Sequence, residues 1–161
     1  EAKGAYMDFC CYGVALAIWL KGMPKSVSAI AGNFVKDFIP SYDNGTVIMI
    51  YGDGTAIAEG TWSQVGNPPA PPLIYGTKGT ILLGFSGATI FSKEKEDGQI
   101  LKGGPFPSRE KNAVEYFLNR IKEGRPIDGM STPDFSRDVQ EVLEAGLISN
   151  STGRVVPIPL R

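Results

Sequence analysis

The chain has 161 residues, enough for one domain with its own core, and its 42% hydrophobic and 20% charged residues are typical of a globular protein. Its net charge of −1, with no dense Lys/Arg cluster, argues against nucleic-acid binding. Because the sequence contains no histidine, Ser-His-Asp triads, Cys-His dyads and histidine metal sites are excluded.

The first predicted element is a helix over residues 5–21, where almost every residue is apolar or aromatic. A helix that is apolar on all sides is expected to be buried. Gly22 and Pro24 end it. The apolar run is too short to span a membrane, so we do not predict a transmembrane helix. Asp8 stands where a signal peptide carries basic residues, so we do not predict a signal peptide.

Cys10 and Cys11 lie inside this helix and are the only cysteines. Adjacent cysteines make a poor zinc set, and on a helix they point in different directions, so a disulfide between them is not expected. We interpret them as small buried hydrophobic residues in a reducing, cytoplasmic compartment.

Short strands with glycine-containing turns are predicted from residue 25 to residue 102. Residues 25–35 partly alternate between apolar and polar, and Gly52-Asp53-Gly54 separates two strand-like runs, which is a strong hairpin signal. Prolines make the segment 65–72 a loop. The charged segment 93–98 is interpreted as a solvated turn.

The last third of the sequence is mainly helical. A helical pattern opens near Ser108, and Thr132-Pro133-Asp134 is typical of a helix N-terminus, with a helix expected to about Asn150. Gly153 follows, and residues 154–160 form a last, edge strand. These elements together predict an α+β fold.

Two glycine-rich segments were considered as nucleotide-binding turns. Gly76-Thr77-Lys78-Gly79 and Gly84-Phe85-Ser86-Gly87 both lie among strands, with no helix following. A dinucleotide site needs a helix N-terminus at that point. Both segments are therefore interpreted as tight turns.

Asp8 and Tyr12 are polar side chains one turn apart on the first predicted helix, and they leave two interpretations open. In the structural one, Asp8 faces the helix dipole and Tyr12 is a core aromatic residue. In the functional one, they line a cleft, bind the hydroxyl groups of a substrate and pass a proton. Tyrosine ionises at about pH 10, so acid–base work near neutral pH needs a neighbouring cation, and the sequence identifies none.

Residues 4–24, GAYMDFCCYGVALAIWLKGMP, resemble the motif that opens the substrate domain of the Gfo/Idh/MocA oxidoreductases, which include glucose–fructose oxidoreductase, inositol dehydrogenase and dimeric dihydrodiol dehydrogenase. The positions that fit this motif are Gly4, Asp8, Tyr12, Leu20, Gly22 and Pro24. Weaker motifs in the family's order extend the resemblance over nearly the whole chain, among them Gly52-Asp53-Gly54, Trp62, Asn112 and Gly153.

The resemblance implies an open, mostly antiparallel sheet with helices on one face, similar to the C-terminal domain of glyceraldehyde-3-phosphate dehydrogenase. It implies that residues 1–161 are a single substrate-binding and dimerisation domain of a longer enzyme. It further implies that NAD or NADP is bound by an N-terminal domain that these residues do not include, so we expect the isolated chain to be inactive. No metal is implied.

The resemblance also assigns roles to individual residues. Tyr12 matches the catalytic His/Tyr position that exchanges a proton with the reacting group, and Asp8 matches the acidic position that binds substrate. Trp62 could face a sugar or pack on the sheet. The implied substrate is a sugar, a polyol or a related carbonyl compound, and the implied partner is a second copy of the chain, in a dimer or tetramer formed through the open sheet. The alternative is a non-catalytic assembly module whose sheet serves only for self-association.

Overall fold

The computed structural model describes residues 3–66, 70–84, 87–105 and 110–160, and they form two compact units. The first unit comprises Glu1–Val65 and Ile127–Arg161, and the second Gly66–Pro126. The helices are α1 Gly4–Lys21, α2 Ala113–Lys122 and α3 Pro133–Thr152, with a 3-10 turn at Gly129–Ser131. The strands are β1 Ser26–Gly32, β2 Asn44–Ile50, β3 Thr55–Thr61, β4 Leu73–Gly76, β5 Gly79–Gly84, β6 Gly87–Ser92, β7 Lys95–Lys102 and β8 Val156–Pro157. The predicted α+β class is confirmed.

The first unit contains an antiparallel sheet with the strand order β3-β2-β1-β8. β2 and β3 form the predicted hairpin, in which Tyr51 N–H donates to the Gly54 carbonyl oxygen at 2.9 Å. β8 is the predicted edge strand. Alternate residues of each long strand point to one face, where α1 and α3 pack and form the core. The side chains that the strands bury on that face are Val27, Ala29, Ala31, Val47, Met49, Ala58 and Val156.

The helix α1 lies very close to the sheet. A β-carbon placed on Gly60 would be 2.7 Å from the β-carbon of Phe9, and one on Gly13 would be 2.7 Å from the β-carbon of Ala58. Tyr6 on the inward side of α1 is fully buried, and its hydroxyl donates to the Leu143 carbonyl oxygen at 2.9 Å. Burial raises the pKa of the Tyr6 phenol above its usual range. The phenol therefore links α1 to α3 as a neutral donor.

The helix α3 begins at its predicted N-terminal signal and ends at Thr152, slightly beyond the expected end near Asn150. The Thr132 hydroxyl accepts from Phe135 N–H at 3.2 Å, and Gly153 adopts a left-handed conformation after the last turn. β8 pairs with only the first two residues of β1. Further along β1, side chains of α3 accept hydrogen bonds from backbone N–H groups on that side of the strand. Ser149 Oγ accepts from Ala29 N–H at 3.2 Å and Asn150 Oδ1 from Ala31 N–H at 2.8 Å.

The second unit contains an antiparallel meander in the order β4-β5-β6-β7. The segment Gly76-Thr77-Lys78-Gly79 is a tight turn, as predicted, and joins β4 to β5. The expected turn over 93–98 is correct only at its first two residues, because Lys95 already pairs with Ser92 and opens β7. Asn112 caps α2, with its side-chain oxygen accepting from Glu115 N–H at 2.9 Å.

Some of the positions discussed above lie outside the described residues. They are Ser108, the middle of the proline loop at 67–69, and residues 85–86 of the second glycine segment. Within the described ranges, none of the helices combines the length and hydropathy that a membrane crossing requires.

The expectation that α1 is buried on all sides is wrong. Tyr12 is 72% exposed and Trp19 is 60% exposed, and Phe9 and Leu20 are also exposed. The reason is geometric, since the sheet and α3 cover only one side of the helical cylinder. The outer side of α1 is an exposed apolar face that carries one carboxylate, Asp8.

The segment between β1 and β2 is organised around Asp43, a carboxylate with no exposed surface. Its Oδ1 accepts from Phe34 N–H at 2.9 Å and Asn44 Nδ2 at 2.8 Å, and its Oδ2 accepts from Val35 N–H at 2.7 Å and Lys36 N–H at 2.6 Å. Burial alone would raise the pKa of the Asp43 carboxyl, but these four donors more than offset it and hold the pKa well below its usual range. Asp43 is therefore ionised in the folded protein at neutral pH.

We predict that Asp43→Asn lowers the urea midpoint of unfolding at neutral pH, because an amide accepts these bonds weakly and brings two N–H donors among the existing ones. The folded pKa of Asp43 lies below its unfolded value, so the wild-type advantage exists above about pH 4 and is lost as pH falls further. The measurement is urea unfolding followed by circular dichroism across this range. Asp37→Asn, an exposed position in the same segment, is the control. Equal midpoints for the two variants, or a difference independent of pH, would contradict the prediction.

Candidate functional site

Asp8 and Tyr12 project together from the exposed side of α1. The buried residues Tyr6, Cys10 and Val14 follow one another at intervals of four and face the sheet. Asp8 lies two residues after Tyr6, and Tyr12 lies two residues after Cys10. Two residues are roughly half a turn of an α-helix, so both side chains point away from the sheet. The close packing that buries one set of side chains therefore turns the carboxylate and the phenol outward, one turn apart.

Trp62 lies next to Asp8, although 54 positions separate them in sequence. The indole nitrogen Nε1 donates to Asp8 Oδ2 at 3.2 Å. The Trp62 main chain is held in turn, because its N–H donates to the Asp43 carbonyl oxygen at 2.8 Å. The structure thus brings the three predicted site residues to the same end of the first unit, with Trp62 bonded to Asp8 and Tyr12 one helical turn from Asp8.

The start of α1 is fixed against the segment that precedes β2. Ala5 N–H donates to the Tyr42 carbonyl oxygen at 2.8 Å. Gly4 has a φ of +61°, and a β-carbon there would overlap the Tyr42 carbonyl oxygen. Only glycine meets both conditions. These two constraints explain why position 4, the first position of the family motif, is a glycine.

Tyr51, another aromatic residue of this unit, lies at the opposite end of α1 from Asp8. Its hydroxyl donates to the Gly22 carbonyl oxygen at 3.2 Å, and the Lys21 ammonium lies 5.2 Å from the centre of its ring. Lys21 also forms an ion pair with Asp53 at 2.9 Å. Tyr51 and Lys21 therefore stabilise the hairpin end of the unit and are not part of the candidate site.

A family model described as the GFO/IDH/MocA C-terminal domain matches residues 1–82, half of the chain. The chain belongs to the Gfo/Idh/MocA family. The matched range includes Asp8, Tyr12 and Trp62, together with α1 and the strands β1 to β3. No curated protein matches the chain in sequence.

Solved structures show the same fold. Levoglucosan dehydrogenase in complex with NADH and L-sorbose superposes with a TM-score of 0.76 at 18% identity, covering 98% of this chain and 51% of that one. The same enzyme with NADH and levoglucosan gives 0.73 at 18% identity, covering 94% and 50%. An oxidoreductase from Agrobacterium radiobacter in complex with NAD+, L-tartaric acid and magnesium gives 0.69 at 19% identity, covering 92% and 47%. The chain thus spans about half the length of these proteins.

The turn from Gly76 to Gly79 in this Gfo/Idh/MocA chain is not arranged as a dinucleotide-binding turn. The turn from Gly76 to Gly79 connects two strands, and no helix follows it to receive a phosphate. Among the residues that the structure describes, no three Asp, Glu or Cys side chains converge as a metal-ligand set. The exposed side chains of Asp8 and Tyr12 can hydrogen-bond to a polar reactant, and the Tyr12 phenol can exchange a proton with it.

The two cysteines of the Gfo/Idh/MocA motif segment are free and are poor nucleophiles. Cys10 is buried as predicted, with Sγ 3.5 Å from the Gly45 carbonyl oxygen, and burial raises its pKa to about 12. Cys11 is only partly buried, and burial, then the Asp8 charge, raise its pKa as well. Both thiols therefore stay protonated at neutral pH.

Sequence reasoning missed two features of this site. Asp43 was not singled out, because an Asp before a strand carries no local signal that it will be buried. The Trp62–Asp8 hydrogen bond was also missed, because it depends on where β3 ends relative to α1. The tight contact between Gly60 and α1 sets that position, and no short motif encodes it.

Proposed function

We propose that this chain is the substrate-binding and oligomerisation domain of a nicotinamide-dependent oxidoreductase that acts on a sugar, a polyol or a related carbonyl compound. The observation that carries the proposal is the outward pair Asp8 and Tyr12 on a helix whose other exposed residues are largely apolar. Family membership supports the reaction class. The named ligands of the structural neighbours, levoglucosan, L-sorbose and L-tartaric acid, are all compounds with several hydroxyl groups and support the substrate class.

On this proposal, each site residue has a role defined by its chemistry. Asp8 accepts a hydrogen bond from a substrate hydroxyl, and Tyr12 exchanges a proton with the oxygen that changes between hydroxyl and carbonyl. NAD or NADP, held by another part of the protein, would supply the hydride acceptor or donor. The two free thiols accord with a reducing, cytoplasmic location, which we also propose.

The catalytic role of Tyr12 can be tested in the protein expressed from the complete reading frame. Levoglucosan, L-sorbose and L-tartrate are offered with NAD+ or NADP+, and reduced nicotinamide is followed by absorbance. We expect Tyr12→Phe to lower kcat by about two to four orders of magnitude, because the ring remains and only the proton-exchanging hydroxyl is lost. Tyr75→Phe, at an exposed tyrosine of the second unit, should leave turnover unchanged. Equal turnover of wild type and Tyr12→Phe would contradict the catalytic role of Tyr12 and favour a structural role for that residue.

The proposal also predicts that the 161-residue chain alone does not bind the cofactor. Titration of the chain with NADH in a calorimeter should give no saturable heat, because the described residues place no helix N-terminus after a glycine-rich turn. The protein from the complete reading frame, titrated under the same conditions, is the positive control. Saturable binding of NADH by the chain alone would contradict the domain assignment.

Self-association is the second part of the proposal, and the open face of the first sheet supports it. Ile30, Ile48 and Ile57 point away from α1 and α3 and are exposed. Ile48 and Ile57 are direct cross-strand partners, and Ile30 is diagonal to Ile48 across the β1–β2 pair. Exposed β-branched side chains that form a continuous patch are typical of an interaction surface.

We predict that the chain forms a dimer or tetramer through this face and that Ile57→Glu shifts it toward the monomer. A charge on each copy would face its equivalent in a desolvated contact, which is unfavourable. Sedimentation velocity over a range of concentrations measures the change, and Val65→Glu, at an exposed loop position, is the control. A monomeric wild type, or equal association of Ile57→Glu and wild type, would contradict this part of the proposal.

A further inference from the structure

The candidate carboxylate needs something to hold it in place. Asp8 is exposed near the start of α1, and an exposed aspartate samples several rotamers in solution. In the structure, one of its oxygens, Oδ2, accepts the indole N–H of Trp62 at 3.2 Å. A hydrogen bond to an ionised acceptor is stronger than one between neutral groups, so this contact favours one orientation of the carboxylate.

The Trp62 donor is anchored to the core of the unit. Its main-chain N–H donates to the Asp43 carbonyl oxygen at 2.8 Å. The side chain of Asp43 is fully buried and holds three consecutive backbone N–H groups. Trp62 also directly follows the last residue of β3, which pairs with Asn44. Asp43 is thus held through its buried side chain and holds Trp62 through its main-chain carbonyl oxygen, and the Trp62 indole in turn holds the exposed carboxylate of Asp8.

We infer that Trp62 is a positioning residue that fixes the Asp8 carboxylate for substrate binding, and not an aromatic platform for a sugar ring. The inference rests on the proposed function for the role of Asp8. An indole has a single N–H, and Trp62 uses it on Asp8. Because Trp62 holds Oδ2 of Asp8, the other oxygen, Oδ1, faces a substrate hydroxyl in a defined direction. Less side-chain entropy is then lost when the substrate binds.

The hydrogen bond can be tested in the 161-residue chain by ¹H–¹⁵N spectroscopy, independently of any turnover. The sequence has two tryptophans, so two indole N–H signals are expected, and Trp62→Phe or Trp19→Phe assigns them. We expect Asp8→Asn to move the Trp62 indole proton upfield, since a neutral amide is a weaker acceptor, and to leave the Trp19 signal in place. Asp37→Asn, which is exposed elsewhere in the unit, should move neither signal. An unchanged Trp62 signal in Asp8→Asn would overturn the inference.

The positioning role is tested in the protein from the complete reading frame with levoglucosan, L-sorbose and L-tartrate. Trp62→Phe keeps an aromatic ring but removes the donor, and we expect KM for the hydroxyl substrate to rise about tenfold, the usual worth of a hydrogen bond to a charged group. kcat and the KM for the nicotinamide should change little, and Trp19→Phe should match wild type. A lower kcat with unchanged KM would indicate only a structural role, and wild-type kinetics would indicate an aromatic platform, so either result overturns the inference. Absence of wild-type turnover would count against the proposed function and would leave the spectroscopic test decisive for the hydrogen bond.

Discussion

The close contact between α1 and the strand pair β2–β3 determines the rest of the first unit. Gly60 and Gly13 lie at this contact, and at each a β-carbon would fall inside normal van der Waals distance of an atom across the contact. Glycine at both positions lets the helix sit low on the sheet, with Tyr6 filling the space beside Gly45 and reaching α3. This contact fixes the rotation of α1 about its own axis. Asp8 and Tyr12, on the side of the helix opposite the sheet, therefore point outward.

Two buried polar groups hold this arrangement, and both are fully satisfied. The Tyr6 hydroxyl donates to a backbone carbonyl of α3, and the Asp43 carboxylate accepts from four donors. A polar group that is buried without partners is costly, so each of these residues favours the one packing that supplies its partners. Tyr6 specifies where α1 meets α3, and Asp43 specifies where the segment before β2 meets Trp62. The edges of the candidate site are therefore set by the core and not by flexible loops.

Local sequence signals predicted the parts of the fold that depend on neighbouring residues. The Thr132 cap, the Gly153 terminus and the turn at Gly52–Gly54 each follow from a few consecutive residues whose backbone preferences leave little choice. The predicted pair Asp8 and Tyr12 likewise follows from helical periodicity and from the family motif. The Trp62–Asp8 bond and the burial of Asp43 could not be predicted in this way. The bond depends on where β3 ends relative to α1, and the burial depends on how the segment between β1 and β2 folds around the Asp43 side chain. The exposure of Trp19 was missed for a related reason, since composition shows that a helix is apolar but not how many of its sides are covered.

The exposed side of α1 explains why a largely apolar helix keeps one carboxylate. If an acidic residue stood at the position of Val14, it would be fully buried within the apolar core cluster, and burying its charge there would strongly destabilise the fold. At position 8 the carboxylate keeps its hydration and gains the Trp62 donor, so it can be retained at little cost to stability. Phe9, which is also exposed on this helix, has the opposite preference, since an apolar ring gains by being covered. A surface with both properties suits a contact that excludes water around a polar reactant, which is what the proposed function requires of this face.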